Sequence, residues 1–225
     1  MPAGLKREAA DPTGGLRRRV RLLSPVAEPP PPAGRRPLRV GLLGGSFNPA
    51  HEGHLYVSLE ALRRLQLDQV WWLVSPQNPL KPRAGMAPLE ERLASAHAVA
   101  RHPAVRVTSL ESRLGTRYTA DTLNRLKSWK DHRFVWLIGA DNLAQLPRWR
   151  HWEQVMHACP IAVFERDPYS YGALAGAAAT RFAGARLSDA RAAELAACAP
   201  PAWVFLRLRP HPASSTEIRR AADQP

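Results

Sequence analysis

Residues 38–54 read LRVGLLGGSFNPAHEGH, and this stretch decides the fold class. Its first six residues, LRVGLL, are mostly apolar and predict a short buried strand. Gly44 and Gly45 come directly after that strand, and residues 54–65 then carry leucines at a helical spacing. A strand, a glycine-containing loop and a helix in this order predict the first unit of an α/β domain.

The same alternation continues along the chain. Further strands are predicted at residues 69–74, 105–107, 134–138, 161–164 and 204–206, and helices at residues 88–101 and 119–129. The alanine-rich residues 173–199 are also predicted to be helical. Short apolar strands that alternate with helices are typical of a parallel sheet covered on both faces. We therefore predict a single α/β domain over residues 38–225, with a Rossmann-like, doubly wound parallel sheet.

Residues 1–37 differ in composition from the rest of the chain. They contain a run of four prolines at 29–32, a cluster of arginines and few aromatic residues, so we predict a disordered basic extension. No apolar stretch follows the basic residues, which argues against a secretory signal.

The chain has a formal charge of +13, of which +5 lies in residues 1–37. A basic surface attracts polyanions, and both a nucleotide substrate and a nucleic acid fit that description. Because no helix-turn-helix, zinc-finger or RNA-binding motif accompanies the charge, we expect no nucleic-acid partner. A basic nucleic-acid-binding module remains the alternative from a different class. No run of about 18 apolar residues occurs, so no membrane span is expected.

Two cysteines, Cys159 and Cys198, are far apart in the sequence and form no CxxC pattern. This argues against a disulfide framework or a metal cluster and favours a reducing compartment, so a cytoplasmic location is expected.

The loop between the first strand and the first helix has the features of a phosphate-binding site. Gly44 and Gly45 lack a Cβ, so main-chain N–H groups can approach a phosphate closely. The helix that begins near Gly53 adds the positive end of its dipole. His51 and His54 are three residues apart and can point into one cleft. The loop is neither a Walker A loop nor a GxGxxG fingerprint, and no HExxH motif completes a metal site for the histidines.

Other polar segments also follow predicted strands. In parallel sheets, ligands bind beyond the carboxyl ends of the strands. Segments at such ends are Gly44–His54, Ser75–Lys81, Gly139–Asp141 and Glu165–Arg166. Each feature alone is more often structural, but their coincidence at one edge predicts a binding site.

These segments carry a resemblance. GGSFNPAHEGH resembles the (H/T)xGH signature of the nucleotidyltransferase superfamily. Four later segments resemble those of the bacterial nicotinate-nucleotide adenylyltransferases: RYTADTL at 117–123, IGADNL at 138–143, LPRW at 146–149 and SSTEIR at 214–219. The resemblance covers about residues 38–220. It implies transfer of the adenylyl group of ATP to nicotinate mononucleotide, which gives deamido-NAD and pyrophosphate in NAD biosynthesis.

The resemblance also implies how ATP is bound. His51 and His54 would be the catalytic residues, because they would stabilise charge at the α-phosphate. The attacking phosphate is already anionic, so no general base is needed. Mg²⁺ is expected with ATP. The implied ATP-binding residues are Gly44, Gly45, Ser46, Phe47, His51, His54, Gly139, Asp141, Ser215, Thr216 and Arg219. Two of these segments have simpler interpretations: a turn at Gly139, and a capping box formed by Ser214 and Glu217.

For the acceptor, the resemblance implies that Trp149 stacks on the pyridine ring and that Tyr118 and Thr119 offer main-chain groups to its carboxylate. Lys81 and Asn48 complete the implied mononucleotide site. Trp149 as a core residue and Lys81 as a solvated loop residue are the alternatives.

The chain departs from the family pattern at two positions. Asn48 stands where many members have Asp, and Arg150 stands where an aromatic or other polar residue is common. Within the superfamily, a pantetheine-phosphate adenylyltransferase or a cytidylyltransferase is the second choice. The sequence does not indicate an oligomeric state.

Overall fold

Seven strands form one parallel sheet in the computed structural model, which describes residues 36–76, 85–165 and 170–209. The strands are β1 (Leu38–Gly45), β2 (Gln69–Val74), β3 (Val105–Thr108), β4 (His132–Gly139), β5 (Ile161–Phe164), β6 (Arg186–Leu187) and β7 (Trp203–Leu206). Their order is β3-β2-β1-β4-β5-β7-β6, and every neighbouring pair is parallel.

Helices connect the strands. The α-helices are α1 (Glu52–Arg64), α2 (Leu89–Val99), α3 (Leu110–Leu114), α4 (Thr119–Leu126), α5 (Ala140–Gln145), α6 (Trp152–Ala158), α7 (Ser170–Leu174) and α8 (Ala177–Arg181). Three 3₁₀ segments are added at Leu146–Arg148, Ala183–Ala185 and Asp189–Ala197.

Both faces of the sheet are covered, because successive residues of a strand point to opposite sides. On one face, Trp71 and Trp136 lie in a buried cluster with Leu123 of α4. On the other face, Trp72 lies in a second cluster with Ala61 of α1. Helices on both faces of an all-parallel sheet confirm the predicted α/β, doubly wound, Rossmann-like fold.

The winding direction of the chain reverses between β1 and β4. From β1 the chain proceeds outward through β2 to β3, and it then returns to the other side of β1 to form β4. Ligands of open α/β sheets bind at such a reversal, beyond the carboxyl ends of the two strands. In this chain, those ends are Gly45 and Gly139.

The prediction for residues 173–199 was wrong in part. This alanine-rich stretch is not one helix: it contains the end of α7, α8, two 3₁₀ segments and the edge strand β6. Gly176 at the start of α8 and Gly184 interrupt the alanines, and glycine disfavours a continuous helix. The helix predicted at 119–129 ends at Leu126, and α3, α5 and α6 were not predicted.

Four predicted site residues lie outside the described residues: Lys81, Ser215, Thr216 and Arg219. By its backbone contacts the chain divides into Met1–Pro30 and Pro31–Pro225, and all the elements above belong to the second unit. The predicted disorder of residues 1–37 stays a prediction. Among the described residues, no helix combines the length and the apolar character needed to cross a membrane.

Candidate active site

The two glycines at the end of β1 lie close to aromatic rings that would crowd a side chain at either position. A Cβ atom on Gly44 would lie 2.6 Å from the ring of Trp136, and one on Gly45 would lie 3.2 Å from the ring of Phe47. Gly44 is nevertheless exposed. Glycine at these positions therefore lets β1 pack against two aromatic rings while its main chain stays accessible at the carboxyl edge of the sheet.

Phe47 holds the turn that follows the glycines. Its φ of 48° lies in the left-handed region, which costs a non-glycine residue about 1–2 kcal/mol. The ring is buried and stacks on Trp72, with the ring centroids 5.1 Å apart. Its other neighbour is His54, at a centroid distance of 4.7 Å. This packing offsets the backbone strain and places the imidazole of His54 against a rigid aromatic pair.

His51 and His54 form a reciprocal cap at the start of α1. His51 is the N-cap residue, and its Nδ1 accepts a hydrogen bond from the Gly53 N–H at 3.1 Å. The Nδ1 of His54 accepts one from the His51 N–H at 3.2 Å. The two ring centroids are 3.9 Å apart. The structure thus brings the two predicted catalytic histidines together at the N-terminus of a 13-residue helix.

The cap determines which imidazole nitrogen carries the proton. Because each Nδ1 accepts a main-chain N–H, the neutral rings of His51 and His54 carry their protons on Nε2. Both rings therefore present an N–H donor from their Nε2 side. Two adjacent donors at a helix N-terminus, beyond the carboxyl end of β1, suit an anion.

A buried serine supports the same helical turn. Ser58 Oγ donates to the His54 carbonyl at 2.8 Å and accepts from Trp72 Nε1 at 2.7 Å. Ser58 is fully buried. These two bonds connect the first turns of α1, at the His54 carbonyl, to Trp72 of β2.

Arg92 is a buried residue beside the loop that donates four hydrogen bonds, and no role for it was predicted from the sequence. Its guanidinium donates to the carbonyls of Ser46 and Ser75 at 2.7 Å, of Ala87 at 2.9 Å and of Pro76 at 3.2 Å. Burial lowers the pKa of Arg92 from its ordinary value. The residue joins the loop after β1, the end of β2 and the segment before α2.

The amide of Asn48 is occupied in the same region. Its Nδ2 donates to the Gly85 carbonyl at 2.8 Å, and its Oδ1 accepts from the Ala87 N–H at 3.1 Å. These bonds give Asn48 a role in holding residues 85–87 against the loop. Its predicted contact with the mononucleotide stays a prediction.

Glu111 of α3 is a buried carboxyl group at this edge of the sheet. Burial raises the pKa of Glu111 to about 7, and hydrogen bonds with Ser75 and Thr122 act in the opposite direction. Thr122 in turn bonds to Thr116, with their Oγ1 atoms 2.8 Å apart. The carboxyl group therefore connects the end of β2 to α4.

The predicted acceptor residues lie near the start of α4. Tyr118 is the N-cap residue of α4 and Thr119 is its first residue. The guanidinium carbon of Arg150 lies 4.8 Å from the centroid of the Tyr118 ring, and that of Arg117 lies 5.7 Å from it. Trp149 is partly buried and packs against the core. The residue after Trp149 therefore contacts Tyr118, so two segments far apart in sequence meet.

Two further predicted residues stand at the end of β4. Gly139 is the last residue of β4 and the N-cap residue of α5, and Asp141 lies in the first turn of that helix. Both lie at the carboxyl end of β4, the strand that neighbours β1 at the reversal of winding. Within residues 36–76, 85–165 and 170–209, no group of three or more His, Cys, Asp and Glu side chains could hold a metal ion.

Comparison with known proteins agrees with this arrangement. Residues 42–221 match the family model described as cytidylyltransferase-like. A protein of Cereibacter sphaeroides named probable nicotinate-nucleotide adenylyltransferase is 53% identical over 181 residues, which are 80% of this chain and 95% of that relative. A protein of Bradyrhizobium sp. strain ORS 278 with the same name is 51% identical over 183 residues, 81% of this chain and 95% of the relative. The chain belongs to the nicotinate-nucleotide adenylyltransferase family.

Members of this adenylyltransferase family are nucleotidyltransferase enzymes, and so is this chain. A solved nicotinic acid mononucleotide adenylyltransferase of Plasmodium falciparum, complexed with NaAD, has a TM-score of 0.61 to the model. That similarity covers 81% of this chain and 83% of the solved chain at 15% identity, so it shows a shared fold.

Proposed function

We propose that the chain transfers the adenylyl group of ATP to nicotinate mononucleotide, giving deamido-NAD and pyrophosphate in NAD biosynthesis. The capped pair His51 and His54 is the observation that carries the proposal. Its two Nε2–H donors stand at the N-terminus of α1, where phosphates of a nucleotide would bind. Membership of the adenylyltransferase family supports the same reaction.

The chemistry requires alignment and charge stabilisation. A phosphate oxygen of the mononucleotide attacks the α-phosphorus of ATP, the bond from that phosphorus to the bridging oxygen breaks, and pyrophosphate leaves. The attacking oxygen carries no proton, so no base is needed. Charge grows on the α- and β-phosphate oxygens, and the Nε2–H donors of His51 and His54 stabilise it. Mg²⁺ would arrive bound to the phosphates of ATP.

The remaining ATP contacts are proposed from the sequence resemblance and, for the described residues, from their position near the reversal point. The main chain of Gly44, Gly45, Ser46 and Phe47 would face the phosphates. Gly139 and Asp141, at the carboxyl end of β4, would approach the ribose. Ser215, Thr216 and Arg219 remain proposed phosphate ligands on the strength of the sequence resemblance alone.

The acceptor site would lie at the start of α4. Trp149 would stack on the pyridine ring, and the main chain of Tyr118 and Thr119 would bind its carboxylate. The guanidinium of Arg150 over the Tyr118 ring adds positive charge beside that N-terminus. This environment favours the anionic nicotinate over the neutral nicotinamide. Lys81 remains a proposed ligand for the mononucleotide phosphate, and Asn48 a second one.

The decisive experiment compares acceptors. Purified protein with ATP and Mg²⁺ is supplied in turn with nicotinate mononucleotide, nicotinamide mononucleotide and phosphopantetheine, and pyrophosphate release is measured. We expect turnover with nicotinate mononucleotide, slower turnover with the amide and none with phosphopantetheine. Turnover with phosphopantetheine alone would refute the proposal.

A further inference from the structure

The loop between β1 and α1 is held from one side by α2 and the residues just before it. The Ser46 carbonyl accepts from Arg92 at 2.7 Å. The Asn48 side chain bonds to residues 85 and 87. The Ala50 N–H donates to Ser95 Oγ at 3.3 Å. Every second residue of the loop is thus fixed by one neighbouring segment, which we call the α2 brace (residues 85–95).

Arg92 is the central residue of the α2 brace. It is 2% exposed, and its planar guanidinium binds carbonyls from three separate segments at once. A lysine has one nitrogen and cannot span acceptors in this way. Removing the guanidinium would leave the Ser46, Ser75 and Ala87 carbonyls without this donor in a buried region, where an unsatisfied polar group is costly.

The bond to Ser46 fixes the direction of the next N–H group. The Ser46–Phe47 peptide is trans, and in a trans peptide the carbonyl and the following N–H point in opposite directions. With the carbonyl directed at Arg92, the Phe47 N–H points away from α2. The positive φ of Phe47 turns the chain at the next residue, and the Phe47 ring packs 4.7 Å from the ring of His54.

Arg92 also places a positive charge beneath the loop. Among the described residues, all of its hydrogen-bond acceptors are main-chain carbonyls rather than carboxylates. Arginine remains charged even where burial disfavours the charge. A fixed cation in a partly dry environment favours anions at the adjacent surface.

We infer that Arg92 is a positioning residue for the triphosphate of ATP. It presets the Ser46–Phe47 peptide so that main-chain N–H groups face the phosphates, and its charge adds to their attraction. Arg92 itself does not touch the substrate. The inference rests on the proposed function for the identity of the nucleotide and deepens it by naming what organises the phosphate loop.

The test uses full-length Arg92→Met and Arg92→Lys variants and titration calorimetry with inorganic triphosphate and with Mg²⁺–ATP. We expect Arg92→Met to weaken the Kd for both by about tenfold, equivalent to about 1.4 kcal/mol, with Arg92→Lys intermediate. The Kd for nicotinate mononucleotide should weaken less than either of these, because Arg92 bonds to Ser46 and not to Asn48, the loop residue proposed for that ligand. A merely structural role would lower the number of binding sites per chain and leave each Kd unchanged.

Arg63→Met is the matched control, because Arg63 is exposed in the last turn of α1, at the opposite end of the helix from the histidine pair, and pairs with Glu60 there. Ser95→Ala removes a weaker contact of the α2 brace, the bond from the Ala50 N–H. This variant keeps the test informative if Arg92→Met does not fold. We expect it to lose about twofold to threefold in triphosphate affinity. Wild-type triphosphate affinity in folded Arg92→Lys and Ser95→Ala would overturn the inference. Triphosphate and ATP binding without turnover of nicotinate mononucleotide would instead refute the proposed function alone.

Discussion

His51 and His54 each use one ring nitrogen for the helix cap and the other for the proposed chemistry. The Nδ1 atoms accept main-chain N–H groups, and the Nε2–H groups would meet phosphates. Amide side chains can separate the two functions, because Asn places its oxygen near the position of Nδ1 and Gln places its nitrogen near that of Nε2. Substitutions at these histidines can therefore test their catalytic role and their stabilising role separately.

We predict that His54→Asn lowers kcat by about a hundredfold, as expected for the loss of one transition-state donor, while thermal stability stays close to wild type. His54→Gln should retain more of kcat and lose stability, because the cap is lost. Pyrophosphate release and thermal unfolding measure the two effects. The exposed His97 of α2 supplies the control His97→Ala. Near-normal kcat in His54→Asn would contradict the assigned role.

Arg150 leads to a prediction about acceptor choice. We expect Arg150→Gln to reduce the ratio of kcat/KM for nicotinate over nicotinamide mononucleotide by roughly tenfold, because a positive charge near the carboxylate is lost. Arg148→Gln is the matched control, since Arg148 is exposed on the preceding 3₁₀ turn. An unchanged ratio in Arg150→Gln would exclude this contribution while leaving the reaction itself unaffected.

The sequence could identify the histidine pair but not the residues that hold it. The spacing of His51 and His54 on a predicted helix start was readable because it is local. The left-handed backbone conformation of Phe47 could not be predicted, because its strain is offset by packing against Trp72, a residue on another strand. The sequence contained a weak indication of Arg92. It lies four residues before Ala96 on the buried side of α2, and an apolar residue is expected at such a position.

At the scale of elements, the central strands were predictable because they are continuous apolar runs between turn residues. β2 and β5 have the predicted bounds, and β1, β3, β4 and β7 differ by at most two residues at an end. The short helices α3, α5 and α6 have five to seven residues each and show too few turns for a clear apolar period. Their formation depends on packing against the sheet.

Glu111 connects elements through a group whose protonation depends on folding. Its pKa is raised from 4.5 to about 7, mainly by burial. A raised folded-state pKa contributes stability that is complete below about pH 4.5 and is lost as the pH rises through about 7.

We therefore predict that the free energy of unfolding of wild type, relative to Glu111→Gln, falls by about 3 kcal/mol between pH 4.5 and pH 7.5. Gln keeps a donor and an acceptor for Ser75 and Thr122 but does not titrate. Denaturant unfolding at a series of pH values measures the difference. A difference that is independent of pH would show that folding does not shift the pKa of Glu111.

At the scale of the whole molecule, basic charge is divided between residues 1–37 and residues 38–225. Residues 1–37 carry +5 of the total +13, so the remaining chain keeps a net positive charge of its own. That remainder suits a substrate pair with several phosphates. A shortened chain should keep Arg36, because Arg36 pairs with Asp68 through two hydrogen bonds of 2.7 and 2.8 Å.

We predict that removal of residues 1–35 leaves kcat and KM with ATP and nicotinate mononucleotide within about twofold, because every site residue proposed here lies beyond residue 35. Steady-state pyrophosphate release from the shortened and the full chain measures this. Binding of labelled oligonucleotides to the shortened and to the full chain is compared at several salt concentrations. A shortened chain that folds but has lost turnover would assign the extension a part in catalysis.

The strand order has a consequence for the behaviour of the protein at high concentration. The outermost strands of the sheet are β3, with four residues, and β6, with two. Each carries an exposed arginine, Arg106 and Arg186. Short, charged outer strands are poor templates for pairing with a second chain. In the part of the chain that the structure describes, the sheet is therefore protected against edge-to-edge aggregation, and the long apolar strands β1 and β4 are shielded at its centre.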